Sequence, residues 1–415
     1  MKQWFAKSKP IKGLLGLCCV ASFYTSNLMA APTKISFWEQ DSAEAGKEMD
    51  KWITIFEKKN PDFKIVRQHY ENEELRSKFL RSSVTGDGAD IVYGPNDLAG
   101  VFNTAGVIKP VDELIDASRF NDTALGTVKL AGKTWGVPLS EGNHLMLFYN
   151  KDLVKTAPTS FDELITIAKK HTKPEQNAYG LAMFQSEPFW FAPIMGGFNA
   201  WPLNTSGKDV KVSIDTPETV KALQFLVDLK DKHKVIPADC DYDCAKSMFL
   251  GKKAAFHING DWEVNAMREA FGDKLGIAPI PKVPTGEYAT PLLGGRYLFV
   301  NKAIEKKKLD AVKKFIDFVT SKQVQLRMAS KLDRIPVTKE AKSSPQMAKV
   351  KDLEPLIAAA EHARPSPSEV EMRAAWDGLR IMVQRAMSGK EPVAKAVKTG
   401  QKAAEEALAA IQVKK

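Results

Sequence analysis

One stretch constrains the fold more than any other: residues 135–153, with the sequence WGVPLSEGNHLMLFYNKDL. Pro138 breaks any helix and holds the preceding residue extended. Five apolar residues run from Leu145 to Tyr149 and stop at Asn-Lys-Asp. A run of this length predicts a β-strand covered on both faces, as in an α/β fold. The polar residues 140–144 precede this strand, where such a fold can meet a ligand, although an ordinary loop explains them as well.

Strand and helix patterns alternate along the rest of the chain. Residues 33–38, 63–67 and 89–93 have the composition of strands, and residues 42–60 and 73–83 between them have helical spacing of apolar residues. This alternation predicts a parallel sheet with right-handed crossovers. A chain of 415 residues is too long for one ordinary core, which favours two or three lobes. Later strands are predicted at 180–184, 254–259, 275–278 and 292–300, the last broken by paired glycines, with helices at 160–171, 216–232 and 308–321 and a helical chain from Glu340 that breaks at 365–367.

The first thirty residues indicate export. Residues 1–12 carry four lysines and no acid, residues 13–24 are mostly apolar, and small residues follow at Ala30 and Ala31. This pattern predicts a cleaved signal peptide at 1–30, with cleavage after Ala30. Cys18 and Cys19 leave a lipid anchor open as an alternative, but Leu17 precedes them where a small residue is wanted.

Cys240 and Cys244 are the remaining cysteines, in the sequence DCDYDCA. An exported protein meets an oxidising space, so a disulfide that closes a small loop is favoured. Metal binding is the alternative, but no histidine stands near and only two soft ligands are present.

The charge of the chain does not indicate a nucleic-acid partner. The formal net charge is +10, but without the four lysines of the signal peptide it is about +6. The other lysines are interleaved with acids, as on a solvated surface. The sequence has no HExxH or GxSxG motif, so we predict no catalytic residue, metal or cofactor. A glycoside hydrolase that uses paired acids stays an alternative.

Aromatic residues stand beside charged ones at four predicted loop positions. Sugars offer a C–H face that packs on an aromatic ring and a rim of hydroxyls that needs carboxylates or guanidiniums. Core packing explains any one of these aromatics, but four such groups favour a cleft for a polar, C–H-rich ligand. The groups are Trp38 with Glu39 and Asp41, Glu187 with Phe189 and Trp190, Asp261 with Trp262, and Trp376 with Asp377 and Arg380.

Several motifs make the chain similar to the maltodextrin-binding periplasmic proteins, the family-1 solute receptors of bacterial ABC sugar importers. They are TGDGADIV at 85–92, FYNKDLV at 148–154, MFQSEPFWFAP at 183–193, FLVDLKDKH at 225–233 and FHINGDWEV at 256–264. The resemblance runs from about residue 33 to 411. It implies a periplasmic, monomeric receptor of the two-lobed type II fold, with mainly parallel sheets and a ligand cleft between the lobes. Its partners would be a carbohydrate and the membrane permease subunits of an importer.

The resemblance also implies lobe boundaries. The N-terminal lobe would comprise residues 31–141 plus about 297–340, and the C-terminal lobe about 145–292 plus 341–415. The chain would cross between the lobes near 141–145, 292–297 and 336–345, and the lobes would close on the ligand by a hinge motion.

Site residues follow from the resemblance position by position. Trp262 and Trp376 match ring-stacking tryptophans, Arg380 an arginine, Asp97 a sugar-binding aspartate, and Glu187 and Phe189 a glutamate and an aromatic. Glu141 stands for the glutamate of the crossing strand and Asp41 for the aspartate of the first strand.

Three positions depart from the family pattern. Gly94 replaces a tryptophan, Leu98 an arginine and Phe189 a tyrosine. A lost hydrogen-bond partner changes discrimination between ligands substantially. We therefore expect a di- or oligosaccharide that need not be maltose, read in part by Arg296, Asn143 or His144. A receptor for a non-sugar solute stays an alternative.

Overall fold

Two separate β-sheets organise the chain. The computed structural model describes residues 31–204, 210–350 and 353–412. The predicted signal peptide, including the cysteines considered for a lipid anchor, lies outside the described residues. The two-lobed α/β class is confirmed, and we call the part built on the seven-stranded sheet the first lobe and the part built on the four-stranded sheet the second lobe.

The seven-stranded sheet has the order β15-β14-β3-β1-β2, with β4 and β7 also paired to β14, and the four-stranded sheet has the order β13-β8-β12-β9. Two short hairpins, β5-β6 and β10-β11, complete the described strands. The strands are β1 (Thr33–Glu39), β2 (Phe63–His69), β3 (Ile91–Pro95), β4 (Ile108–Lys109), β5 (Lys129–Leu130), β6 (Lys133–Thr134), β7 (Val137–Gly142), β8 (Leu145–Asn150), β9 (Tyr179–Met183), β10 (Leu203–Asn204), β11 (Lys211–Val212), β12 (Ala254–Gly260), β13 (Leu275–Ala278), β14 (Leu292–Asn301) and β15 (Arg364–Pro365).

Helices cover both faces of each sheet. Several begin at the caps that the sequence provides; for example, the Ser160 hydroxyl accepts a hydrogen bond from the Glu163 backbone N–H at 3.2 Å. The helices are α1 (Ala43–Lys59), α2 (Asn72–Thr85), α3 (Leu98–Thr104), α4 (Asp122–Gly126), α5 (Phe161–His171), α6 (Pro188–Gly197), α7 (Pro217–Asp231), α8 (Tyr242–Leu250), α9 (Val264–Phe271), α10 (Leu309–Val319), α11 (Lys322–Leu332), α12 (Lys339–Lys342), α13 (Glu354–Glu361), α14 (Val370–Met387) and α15 (Val393–Gln412). Along the described residues, no helix has the length and apolar character needed to span a bilayer.

The sheets are mixed, which corrects the prediction that both are mainly parallel. β1 runs parallel to β2 and β3, and β9 runs parallel to β12, but β14 is antiparallel to β3 and β8 is antiparallel to β12 and β13. The reason lies in the crossings between lobes. β8 and β14 each enter their sheet directly from the other lobe. They therefore begin at the edge of the sheet where the strands joined by right-handed crossovers end, and they run in the opposite direction to those strands.

The segment before β8 also differs from the prediction. Residues 137–142 form β7 instead of a loop, and β14 is continuous instead of broken at its glycines. Pro138 is tolerated because the pairing of β7 with β14 shifts register between Arg296 and Tyr297, and prolines in strands concentrate at such irregularities. The chain after Glu340 is less helical than predicted, since only short helices and β15 precede α14.

Each sheet is buried between two apolar layers. In the first lobe, α1, α10 and α11 cover the face that carries Ile35 and Phe37, and α2 and α3 cover the face that carries Trp38. In the second lobe, α5, α6, α7, α14 and α15 pack on the face with Leu147, and α8, α9 and α13 on the face with Met146. This packing places α2 and α14 in different lobes, which matters for the site. The exact lobe boundaries stay a prediction.

Candidate functional site between the lobes

A small recess lies where the two lobes meet. One wall comes from α2 and the start of α3 in the first lobe, and the other comes from α14 in the second lobe. Residues from three helices therefore converge on a single space at the carboxyl end of β3. The lining residues are Asn72, Glu73, Arg76, Asp97, Leu98, Val101, Met372, Arg373 and Trp376.

Asp97 lies two residues after the end of β3 and lines this recess. Its Oδ1 atom is shielded from solvent and, within the described part of the chain, has no hydrogen-bond partner. Burial and the nearby Glu73 carboxylate raise the pKa of Asp97. A shielded carboxyl oxygen without a partner is costly unless a ligand or water binds it. Asp97 and Trp376, both predicted from the sequence, thus line the same space.

Three predicted aromatic residues form a continuous wall in the second lobe. The ring centre of Phe189 lies 6.2 Å from that of Trp262 and 6.1 Å from that of Trp376. Trp262 stays half-exposed, and its ring lies across Gly260, where an added Cβ would come within 2.1 Å of the ring. The glycine of the NGDW motif therefore makes room for the tryptophan two residues later.

Glu187 and Arg380 join beside this wall. The Arg380 Nη2 atom lies 3.2 Å from the Glu187 carboxylate, which connects the start of α6 to α14. The structure brings these two predicted residues together with Phe189 and Trp376, since Glu187 and Phe189 stand at the start of α6 and Trp376 and Arg380 stand on α14. The pair places both a carboxylate and a guanidinium next to the aromatic rings.

An ion pair connects the two lobes at the recess. The Glu73 carboxylate on α2 lies 3.5 Å from the Arg373 guanidinium on α14 and also pairs with Arg76. Burial raises the pKa of Glu73, but Arg76, Arg373 and Arg380 outweigh it and hold the pKa below its ordinary value. Glu73 is therefore an ionised contact of the first lobe with the second.

Asp41 belongs to a buried ionic network at the base of the cleft. Its carboxylate accepts hydrogen bonds from Arg334 at 2.9 Å and from the Tyr93 hydroxyl at 2.7 Å, and the Arg296 Nε lies 4.0 Å away. Arg334 also lies 3.4 Å from the Asp261 carboxylate of the second lobe. The network therefore ties the end of β1 to the segment after β12.

Asn143 and Arg296 extend this network to the segments that link the two lobes. Asn143 lies between β7 and β8, and Arg296 lies on β14. The Asn143 backbone N–H donates to Asp261 at 3.0 Å, and the Arg296 guanidinium donates to the Asn143 side chain. Gly142 has a φ of +130°, and a Cβ there would come within 2.2 Å of the Asp261 carboxylate. His144 instead turns into the protein, with Nε2 3.1 Å from the Leu356 carbonyl oxygen, and burial lowers its pKa.

Glu141 does not join the other predicted site residues. Its carboxylate contacts Lys342 at 2.6 Å and Asn121 at 3.2 Å. Successive residues of a strand point to opposite faces, so Glu141 points away from the Asp261 side that Gly142 approaches. This carboxylate thus connects β7 to α12 and is not among the residues that line the recess.

Sequence reasoning missed Arg334 and Glu73, and it did not foresee the contact between Asp261 and Arg334. Arg334 follows the end of α11 in the sequence Asp-Arg-Ile-Pro, where a charged residue just past a helix and near a proline was a usable signal. Asp261 stands beside Trp262 in the sequence, but nothing in that pattern shows that its carboxylate turns to Arg334.

Gly94, one of the departures from the family pattern, has no space for a side chain. A Cβ there would come within 2.5 Å of the Leu98 side chain and 3.3 Å of Gln40. Leu98 and Gln40 thus occupy the space beside Gly94 where the resembled family carries an aromatic platform.

Cys240 and Cys244 form a disulfide at the start of α8. Cys240 is buried in the layer formed by α8, α9 and α13, and Tyr242 lies between the two cysteines. This layer covers the opposite face of the second sheet from the aromatic wall.

Comparison with known proteins places this architecture in a family. The family model described as bacterial extracellular solute-binding protein matches residues 51–355. The maltotriose-binding protein of Pyrococcus abyssi is 26% identical over 325 residues, which cover 77% of this chain and 70% of that protein. The sn-glycerol-3-phosphate-binding periplasmic protein UgpB of Salmonella typhimurium is 25% identical over 355 residues, 79% of each chain.

A solved structure supports the same family assignment. The maltose/maltodextrin-binding domain MalE from Bdellovibrio bacteriovorus, bound to maltotriose, superposes with a TM-score of 0.85 at 33% identity, covering 91% of this chain and 100% of that one. The chain belongs to the family of bacterial extracellular solute-binding proteins.

Proposed function

We propose that the protein captures a malto-oligosaccharide or a similar sugar between its lobes and delivers it to the membrane permease of an ABC importer. In this proposal it is exported to the periplasm, acts as a monomer and does not alter its ligand. The maltotriose-binding relative and the maltotriose-bound structural neighbour support this choice of ligand class.

One observation carries the proposal: Asp97, whose Oδ1 has no hydrogen-bond partner among the described residues, and Trp376 line the same interlobe recess. A sugar satisfies both at once, since a hydroxyl donates to the carboxylate while a C–H face packs on the ring. Neither group alone selects a sugar, but their combination suits a ligand with alternating polar and apolar faces.

The other site residues take roles that follow from their places. Trp262 and Phe189 continue the stacking surface beyond Trp376, and Arg380 with Glu187 offers donors and acceptors to the hydroxyl rim. The Asp41–Arg334–Asp261 network holds the base of the cleft and is shielded from solvent. Glu141 acts at the hinge, where it pairs with Lys342.

Closure follows from contacts with both lobes. A sugar that touches Asp97 in the first lobe and Trp376 in the second is bound fully only when the lobes approach each other. Such a ligand shifts the population toward the closed form by its difference in affinity for the two forms. The closed form would then be the one that the importer recognises.

Isothermal titration calorimetry with maltotriose tests the proposal. We expect saturable binding to the mature protein, weakened by about 1–3 kcal/mol in Trp376→Ala because the variant loses apolar burial. Trp135→Ala is the control, since Trp135 is a partly buried tryptophan that precedes β7 at the end of the sheet away from the crossing. Equal affinity in Trp376→Ala and the wild type would remove this recess from the site.

Two further ligand experiments separate the competing functions. Glycerol 3-phosphate, the ligand named for UgpB, should give no heat at concentrations where maltotriose saturates. Maltotriose and longer maltodextrins should remain intact after prolonged incubation with the protein, as judged by chromatography. Released glucose or maltose would favour a glycoside hydrolase instead.

A further inference from the structure

Tyr242 lies inside the five-residue loop that the Cys240–Cys244 disulfide closes. Cys240 is 2% exposed, and Cys244 lies in the first turn of α8. Asp241 caps this helix, because its carboxylate accepts a hydrogen bond from the Cys244 backbone N–H at 2.9 Å. The backbone on both sides of Tyr242 is therefore held by a covalent bond and by a helix cap.

The Tyr242 hydroxyl connects this loop to Trp262. It accepts a hydrogen bond from the Trp262 indole N–H at 3.0 Å and donates one to the Glu263 carboxylate. The Lys246 ammonium lies 3.0 Å from the same carboxylate and holds it in place. Burial and Glu263 raise the pKa of Tyr242 far above its usual range, so the hydroxyl keeps the proton that it donates.

Packing reinforces this hydrogen-bonded chain. Trp190 meets both rings edge to face, with ring centres 5.9 Å from Tyr242 and 6.2 Å from Trp262. Trp190 is itself fixed, since its indole N–H donates to the Ile258 carbonyl at 2.8 Å. The ring of Trp262 is thus located by Gly260 behind it, Trp190 at its side and Tyr242 at its nitrogen.

We propose that the disulfide loop, residues 240–244, is a positioning device for the sugar-stacking face of Trp262 and acts through the Tyr242 hydroxyl. The inference rests on the proposed function, since Trp262 is a sugar-stacking residue only if the cleft binds a sugar. A ring that is already fixed before the ligand arrives loses less conformational entropy on binding. The loop thus makes Tyr242 a positioning residue for ligand affinity, although Tyr242 itself need not touch the ligand.

Calorimetry with maltotriose measures the effect on affinity. We expect Tyr242→Phe to weaken binding about fivefold, the equivalent of one hydrogen bond. The double variant Cys240→Ser/Cys244→Ser should weaken binding in the same direction. Tyr179→Phe is the matched control: Tyr179 is a half-buried tyrosine of the same lobe, but it pairs with Ala254, at the opposite end of β12 from Gly260. Its affinity should equal that of the wild type.

A double-mutant cycle separates positioning from general stability. Trp262→Phe keeps an aromatic ring but removes the indole N–H that Tyr242 accepts. In that background, Tyr242→Phe should cause no further loss of affinity. A loss as large as in the wild type would overturn the proposal, because the effect would then not pass through the Trp262 nitrogen.

A spectroscopic measurement without ligand completes the test. Made in the wild-type protein, Tyr242→Phe should change the tryptophan emission spectrum. Made in the Trp262→Phe variant, the same substitution should leave the spectrum unchanged. If the wild type binds no sugar, the proposed function fails, and this spectrum still decides whether Tyr242 positions Trp262. If the wild type binds maltotriose and Tyr242→Phe binds it equally well, the positioning proposal fails while the proposed function stands. Should the cysteine variant not fold, as judged by circular dichroism, the Tyr242→Phe result decides.

Discussion

Arg334 is the residue whose removal should affect the fold most sharply at the base of the cleft. It is 3% exposed and lies 2.9 Å from the Asp41 carboxylate and 3.4 Å from that of Asp261. Replacing it with methionine keeps much of the volume but leaves two buried carboxylates without their shared cation. Breaking a buried pair in this way costs about 3–5 kcal/mol of unfolding free energy. We expect a loss of that size in Arg334→Met at pH 7.

The pH dependence of this loss follows from the pKa of Asp41. Burial raises that pKa, but Arg334, Arg296 and the Tyr93 hydroxyl outweigh it and hold it below its ordinary value. In the wild type, the stability from the Asp41 carboxylate is present above about pH 4 and is lost as the pH falls through the lowered pKa. Without Arg334, burial should raise the pKa above its ordinary value, so the variant regains stability as the pH falls. The difference between the two proteins should therefore shrink on acidification.

Urea unfolding from pH 7 down to about pH 4, followed by tryptophan fluorescence and circular dichroism, measures this difference. Arg327→Met is the control: the Arg327 side chain is 38% exposed, and its partner Glu48, although only 5% exposed, keeps the Lys51 ammonium at 3.0 Å. About 1 kcal/mol or less should therefore be lost. The double variant Asp41→Asn/Arg334→Met should recover part of the loss, because it removes one of the stranded carboxylates. A loss below about 1 kcal/mol at pH 7, or one that grows on acidification, would refute the reasoning.

Three further outcomes concern the binding of maltotriose. Because the pKa of Asp97 is raised, affinity should fall as the pH drops through it, and calorimetry of Asp97→Asn should show a flatter pH profile; parallel profiles would contradict this. Arg373→Met removes the partly exposed pair with Glu73 and should weaken binding by up to about 1 kcal/mol at low salt and less at 1 M salt, whereas a salt-independent loss would argue against an ionic contact. Gly260→Ala should displace the Trp262 ring and weaken binding by about 1–3 kcal/mol, so unchanged affinity would show that the ring position is unimportant.

Local signals in the sequence predict those parts of the fold that depend on nearby residues. The apolar run from Leu145 to Tyr149 is fully buried in β8, and Ser160 caps α5 as its spacing to Glu163 indicates. Periodicity and capping are properties of a few consecutive residues, so one sequence is enough to detect them. The order of strands and helices follows in the same way.

Features that depend on contacts distant in sequence could not be predicted from these patterns. The direction of β8 and β14 depends on the crossing between lobes, and the formation of β7 as a strand depends on its pairing with β14. Crossover rules describe strands joined within one sheet, so they gave the wrong direction for strands that enter from the other lobe.

The residues of the candidate site also divide into those that a local motif predicts and those that depend on contacts distant in sequence. Trp262 and Trp376 stand in short motifs, and the structure places both at one aromatic wall through Phe189. Glu141 also has a motif position, but strand alternation turns its carboxylate toward Lys342. Arg334 was missed because its partners, Asp41 and Asp261, stand 293 and 73 positions away along the sequence.

A crystal structure of the protein grown with maltotriose tests the central claim most directly. We predict density for glucose rings in the interlobe recess, with a hydroxyl bonded to the Oδ1 of Asp97 and ring faces packed on Trp376 and Trp262. Crystals that hold maltotriose elsewhere on the surface, with the recess empty and Asp97 still without a partner, would contradict the account.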